Sequence, residues 1–213
     1  MKNRFFKIIL NGCDVHPRAT TMDIRKTFNI PNNHFVFLFV GNICIRKNQS
    51  QVVRAFSQLD ITKRETIHVI FVGGGDTDRI KRQIQSEGLQ SNLHVCGIVP
   101  KADIHNYYAA ADATILTSKS EGFGLSIIEG YAYGLPCLTF SDLAAVKDLY
   151  NVQTMLLVDS RKDKDLGEGL LSMTNIKWDK SVIIEFAQLF SLSEMSHKYI
   201  SFYNEIISLF HRK

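Results

Sequence analysis

The sequence predicts an α/β fold, a doubly wound, mostly parallel sheet of about six strands with helices on its faces and more helices at its carboxyl end. Two observations carry that prediction. Apolar runs recur at residues 34–40, 67–72, 93–96, 113–116, 136–140 and 155–158, and within each run the apolar residues are continuous instead of alternating. Strands buried on both faces read this way, because helices cover a parallel sheet above and below. Helix-like segments at residues 49–59, 76–87, 102–111, 125–133, 143–150 and 163–173 separate the runs, so strand and helix alternate along the chain. Parallel neighbours need such crossover connections.

In chain order, residues 1–33 read as a leading linker and not as a full domain. Residues 1–10 hold only a short, broken apolar run with no small-residue cleavage site after it. Asn11-Gly12-Cys13-Asp14 is a turn signal, and residues 17–33 are polar with a short helical pattern at 22–28. The domain proper spans residues 34–178. Within it, Asp76 follows Gly73-Gly74-Gly75 as an N-cap for the next helix, and Gly134-Leu135-Pro136 places glycine just past a helix and proline at a new strand. After Trp178 the pattern changes to two helical stretches, 180–190 and 193–210, which make up a carboxyl-terminal extension over residues 179–213. In the second stretch Met195, Tyr199, Phe202, Ile206, Ile207 and Phe210 form an apolar stripe that must pack on this domain or on another.

Composition narrows the function classes. Lys+Arg number 25 against 21 Asp+Glu, a net charge of +4, with 45% hydrophobic and 22% charged residues. Disorder, collagen and small disulfide scaffolds are excluded by these values. Basic residues are scattered without a long like-charge block, so no nucleic-acid partner is expected and the anionic partner should be small. Cys13, Cys44, Cys96 and Cys137 form no C-x-x-C pair and read as reduced, mostly buried thiols, which suits a cytoplasmic location. No stretch reaches the roughly 18 apolar residues of a membrane span, which leaves peripheral contact at the inner membrane surface open.

Ligands of open parallel sheets bind beyond the carboxyl ends of the strands, so the loops after strands are where chemistry is sought. The loop after the fourth strand, Thr117-Ser118-Lys119-Ser120-Glu121-Gly122-Phe123-Gly124-Leu125-Ser126, opens a helix that carries Glu129. Its glycines let the backbone approach a ligand, and the free N–H groups of a helix start favour phosphate. Glu129, one turn in, is placed to reach hydroxyls beside that phosphate, and a diol next to a phosphate describes a nucleotide ribose. Acidic residues near a helix start are also favoured by the helix dipole without any ligand. The loop after the first strand, Gly41-Asn42-Ile43-Cys44-Ile45-Arg46-Lys47-Asn48, brings adjacent cations to the same sheet edge, where surface solvation is their simpler role.

Taken together these motifs resemble the C-terminal, nucleotide-sugar-binding half of retaining glycosyltransferases of family 4, the group 1 transferases with the GT-B fold. The residues that carry the resemblance are Glu121-Gly122-Phe123-Gly124-Leu125-Ser126-Ile127-Ile128-Glu129 continuing into Gly130-Tyr131-Ala132-Tyr133-Gly134-Leu135-Pro136. Before them, in order, stand Phe39-Val40-Gly41 with Lys47, Phe71-Val72-Gly73-Gly74-Gly75, Gly97-Ile98-Val99-Pro100 and Tyr108-Ala109-Ala110-Ala111-Asp112. The match covers roughly residues 11–210, since Asn11-Gly12-Cys13-Asp14 is similar to the segment leading into this half and the last helix to its final one.

The resemblance implies a Rossmann-like fold and transfer of a sugar from a nucleotide diphosphate donor, such as a UDP- or GDP-sugar, with retention at the anomeric carbon. Lys47 and Glu121 are then the catalytic pair: Lys47 neutralises the departing diphosphate and Glu121 contacts hydroxyls of the donor sugar. The Gly124 and Leu125 amides support the phosphate end, Glu129 holds the ribose, and the segment ending in Val99 lies near the base. Gly41, Gly122, Phe123 and Ser126 complete the implied donor-binding set. Side chains and dipoles carry the charge, so neither a cofactor nor a metal is expected. Two departures stand out. Asn42 occupies the place of the family's usual Arg, and the acceptor-binding half has no counterpart here, so a separate acceptor-binding domain or chain is expected.

Other motifs are discounted. Asp76-Thr77-Asp78 imitates a D-x-D metal site but more simply caps a helix. Gly73-Gly74-Gly75 follows the second strand, not the first, and lacks the last glycine of a dinucleotide fingerprint. The histidines form no H-x-x-x-H pair, and Tyr107, Tyr108, Phe186 and Phe190 read as core or interface residues. The alternatives to a transferase are a non-catalytic nucleotide-binding or interaction module and, more remotely, a nicotinamide-dependent oxidoreductase.

Overall fold

The computed structural model describes residues 6–211. Its sheet has six strands: β1 (Phe35–Val40), β2 (Ile67–Val72), β3 (Leu93–Gly97), β4 (Ala113–Leu116), β5 (Cys137–Phe140) and β6 (Met155–Val158). Each neighbouring pair is parallel, in the order β3-β2-β1-β4-β5-β6. The chain therefore winds outward from β1 to β3, returns to the centre at β4, and winds out the other way. Loops leaving β1 and β4 diverge from adjacent strands, which opens a crevice between their carboxyl ends.

The helices are α1 (Ile24–Thr27), α2 (Gln49–Ser57), α3 (Ile61–Arg64), α4 (Thr77–Ser86), α5 (Ile104–Ala110), α6 (Leu125–Ala132), α7 (Val146–Leu149), α8 (Asp163–Asn175), α9 (Lys180–Gln188) and α10 (Leu192–His211). Alternate residues of β1 serve opposite faces, as the strand period of two requires. Phe37 and Phe39 pack with Val69, Phe71 and Leu138 against Phe56 of α2, Ile80 of α4 and Leu170 of α8. Val36 and Leu38 pack with Ile70 against Ile24 and Tyr108, while on the same side of β5 Cys137 joins Ile128 and Tyr131 of α6 and Ile183 of α9. Continuous apolar strands are thus explained by burial on both faces.

Two helices differ from the sequence expectation. The segment at 143–150 narrows to the single turn α7, because Arg161 draws Asp142 into a two-pronged ion pair (2.7 Å for each prong) and holds residues 141–145 as a turn. The short α3 is additional, started by Asp60, whose carboxylate accepts the Thr62 amide at 2.9 Å.

The leading segment is tied down at several points. Cys13 bridges to Ser191, its amide donating to the Phe190 carbonyl at 3.0 Å while its own carbonyl accepts the Leu192 amide at 3.1 Å. Further on, the Asn106 side chain accepts the Thr21 and Met22 amides at 2.7 and 3.1 Å, and Arg25 pairs with Asp112 at 2.6 Å. Of the carboxyl-terminal helices, α9 packs on α6 through Ile183 and Ala187. In α10, Tyr199, Ile200, Tyr203 and Ile207 are exposed. The expected stripe residue Phe210 has its side chain outside the described residues, as do residues 1–5 of the opening run. Among the described residues no helix is long and apolar enough to cross a membrane.

Candidate functional site

The crevice between β1 and β4 is framed by the loops at 41–48 and 117–124. Close packing of the first loop onto the end of β2 requires glycine: Gly73 has φ +148°, and a Cβ there would run into the Gly41 carbonyl. The glycine triplet is thus a packing device between neighbouring loops. At the other end of the first loop, Asn48 in the left-handed region (φ 61°) starts α2 and leaves Lys47 facing the loop after β4.

There Lys47 Nζ donates to Glu121 Oε1 at 2.6 Å, and Ser118 Oγ donates to the same oxygen at 2.5 Å. Both charged side chains are nearly buried, with 13% of Lys47 and 8% of Glu121 exposed. Arg46 Nη1 lies 3.6 Å from that oxygen and donates to the Ser120 carbonyl at 2.9 Å. Behind the loop, Arg161 is a brace: it stacks over the Phe140 ring at 4.5 Å and donates to the Ser118 carbonyl at 3.1 Å, while its own carbonyl accepts from Gln51 at 2.6 Å. Gly124, at φ +88°, then turns the chain into α6, and this left-handed start is the reason glycine stands at that position. Asn11, Val40, Lys47, Glu121, Phe123, Gly124, Leu125 and Ser126 line a cleft of about 310 Å³. A cation, a carboxylate and a helix amino terminus therefore meet in one place, a chemistry suited to a phosphate carrying a hydroxyl-rich group.

A second cleft, of about 370 Å³, continues from the first across Val40, which lines both. Glu129 lies here, accepting a hydrogen bond from Tyr108 Oη at 2.6 Å. Burial, and then the charge of Glu129, push the Tyr108 phenol well above its ordinary range, so it stays a donor to the carboxylate. Tyr133 stacks on Tyr108 with ring centroids 5.6 Å apart, and its hydroxyl accepts the Arg18 amide at 3.1 Å. Cys13 is close enough for Glu129 to add to the effect of burial, which pushes its thiol up to about 11. Val99, Lys101 and Ile104 line the same cleft.

The structure thus gathers Lys47, Glu121, Phe123, Gly124, Leu125 and Ser126 around one cleft and places Glu129 and Val99 on the next. Gly41 stands behind Lys47, where a Cβ would come within 3.2 Å of the lysine Cε. Gly122 is exposed and lines neither cleft. Arg46 lines a different cleft on the far side of its loop. Asp76 caps α4, accepting the Arg79 amide at 3.2 Å. Sequence reasoning missed Ser118, whose only signal is its position three residues before Glu121. It also assigned Tyr108 to the core, where the ring does lie, without seeing that its hydroxyl meets Glu129. Asn11 and Asp14 carry a turn signal but no chemical one, and His16 and Arg18, which line the second cleft, carry neither.

Residues 21–188 match the family described as Glycosyl transferases group 1. The chain belongs to that family. Among curated relatives, a poly(glycerol-phosphate) alpha-glucosyltransferase of Bacillus subtilis is 28% identical over 168 residues, covering 78% of this chain and 24% of the relative. The O-antigen biosynthesis glycosyltransferase WclY of Escherichia coli is 24% identical over 204 residues, covering 93% of this chain and 55% of the relative. Among solved structures, Anabaena HepE in complex with UDP superposes with a TM-score of 0.78 at 20% identity, covering 93% of this chain and 57% of that one. Sucrose-phosphate synthase of Thermosynechococcus elongatus superposes with a TM-score of 0.77 at 22% identity, covering 95% and 53%. This group 1 glycosyltransferase chain has the fold of those neighbours and spans between about a quarter and just over half of the length of these relatives.

Proposed function

We propose that this chain is the donor-binding half of a retaining glycosyltransferase and holds a nucleotide diphosphate sugar across its two joined clefts. The observation that carries the reading is the convergence of Lys47, Glu121 and the start of α6 on one cleft, with Glu129 on the next. Glu129, oriented by Tyr108, takes the ribose diol, and the segment at Val99 meets the base. The diphosphate lies between, over the Gly124 and Leu125 amides and against Lys47. Glu121 then faces the sugar hydroxyls. As the bond from the anomeric carbon to the diphosphate oxygen breaks, negative charge grows on that oxygen, and Lys47 and the helix start stabilise it. A single well-placed donor of this kind contributes about 2.7–4 kcal/mol to the transition state.

The acceptor is held by a further domain, in the same polypeptide or another chain, and the exposed residues of α10 offer a face for it. The division into a leading linker to residue 33, the sheet domain and the helical extension after 178 belongs to this reading, as do a cytoplasmic location and peripheral membrane contact. UDP and GDP, with and without an attached glucose or mannose, test it in binding assays on wild type, Lys47→Ala and Glu121→Gln chains. Loss of Lys47 should weaken every one of these ligands that the wild-type chain binds, whereas Glu121→Gln should weaken the sugar conjugates more than the bare diphosphates. Equal losses in both variants would contradict the assignment. Retention is read separately from the anomeric proton coupling of the product of the full enzyme, and an inverted centre would overturn it.

A further inference from the structure

A cleft of about 610 Å³, larger than either part of the donor site, opens on the other side of the loop that follows β1. Arg46, whose guanidinium also reaches the Glu121 carboxylate at 3.6 Å, lines this second cleft with Arg54 of α2, Arg79 of α4 and Lys119 from the loop after β4. Of the four lining cations Arg46 and Arg54 are paired with carboxylates outside the lining, and the one lining carboxylate, Asp76, is occupied in starting α4. Arg54 is held by Asp163 at 2.7 Å, and Arg46 by the Ser120 carbonyl at 2.9 Å and by Glu121 at 3.6 Å, so both heads have fixed positions. Among the described residues no carboxylate is within ion-pair distance of Arg79 or Lys119. Both α2 and α4 begin at the cleft, which adds the partial positive charge of two helix ends. A concave surface concentrates such a field.

We propose that this cleft is a second anion site, separate from the donor site, that takes the phosphate group of a small ligand. Arg79 and Lys119 are the cations left to bind the phosphate oxygens, whereas Arg46 and Arg54 have their charge balanced by Glu121 and Asp163 and shape the walls. Ile43 and Ile80 form an apolar floor able to hold an organic group attached to that phosphate. The phosphate can come from a phosphorylated small molecule or from the free ion, and the two sources are separable by experiment.

The test is calorimetric titration of the whole chain with glucose 6-phosphate, glycerol 3-phosphate and inorganic phosphate, with glucose and glycerol as uncharged controls. Saturable binding of a phosphate is expected, persisting when UDP is present in excess, with no binding of the uncharged controls. The exposed double variant Arg79→Ala/Lys119→Ala should bind at least about tenfold more weakly, since two charge-assisted contacts are lost. Tighter binding of an ester than of the free ion assigns the source to a phosphorylated molecule, and equal binding assigns it to the ion; both support the site. No phosphate binding, binding that UDP abolishes, or binding untouched in the double variant would overturn the proposal. Failure of UDP itself to bind counts against the donor reading alone.

Discussion

Lys47 and Glu121 meet at 2.6 Å although 74 residues separate them, because β1 and β4 are neighbours at the point where the sheet reverses its winding. Each neutralises the other in a nearly dry setting. In the proposed donor complex a diphosphate arriving at Lys47 competes with a carboxylate, and the sugar hydroxyls that reach Glu121 compensate that carboxylate for its lost partner. Under that proposal the pair links recognition of the two ends of the donor.

Removing one partner of such a pair strands the other. Lys47→Met should lower the unfolding free energy by about 3 kcal/mol in urea denaturation, since it leaves Glu121 buried with Ser118 and the more distant Arg46. Lys47→Met combined with Glu121→Gln should recover most of that loss, so that the two changes are far from additive. Additive losses would show that the pair is not coupled.

Tyr108→Phe keeps the buried ring and deletes only the hydroxyl that holds Glu129. Stability should fall by about 1.5 kcal/mol, the contribution of a hydrogen bond to a charged group. Affinity for UDP should fall by about tenfold, as Glu129 loses its fixed orientation. An unchanged affinity would mean that Glu129 is not at the ribose.

Acid should weaken the fold through a row of imidazoles at the opposite edge of the sheet. His34 Nδ1 lies 2.9 Å from His68 Nε2, and His68 Nδ1 lies 3.3 Å from His94 Nε2. Burial, then the neighbouring His94, His34 and Arg25, push His68 down to about 4 from its ordinary 6.5, and burial lowers His94 as well. Between those values the unfolded chain binds more protons, so stability is complete above pH 6.5 and falls as pH drops toward 4. For His68 alone the loss reaches about 3 kcal/mol. Urea titrations at pH 7.5 and 4.5 should show it, and His68→Gln should flatten the difference between them.

Gly124→Ala forces an L side chain into the left-handed start of α6 and brings its Cβ to 3.2 and 3.3 Å from Ile127 and Leu149. A cost of about 1–2 kcal/mol is expected from the backbone alone. Thermal denaturation measures it, and a loss of UDP affinity should accompany it because the loop holding Glu121 shifts.

What the sequence made legible follows from locality. The strands stood out because burial on both faces writes itself as an unbroken apolar run, and Glu121, Gly124 and Glu129 stood out because one loop and one helix carry them all. Contacts that exist only through topology were not legible. Nothing near Lys47 says that Glu121 is its partner, and nothing near His34 says that His68 and His94 stand beside it on the next two strands. Tyr108 was legible as core from its apolar neighbours, but its hydroxyl finds Glu129 only because α5 and α6 flank the same end of the sheet. The narrowing of α7 depends on Arg161 reaching back to Asp142, again a contact between separate loops.

The most direct measurement is calorimetric titration of the chain with UDP, GDP and their sugar conjugates, in wild type and in Glu129→Ala. Saturable binding of one nucleotide family, weakened at least about tenfold by the loss of the carboxylate proposed to hold the ribose, is the predicted result. A folded chain that binds none of them, or binds them equally well without Glu129, would contradict the donor site.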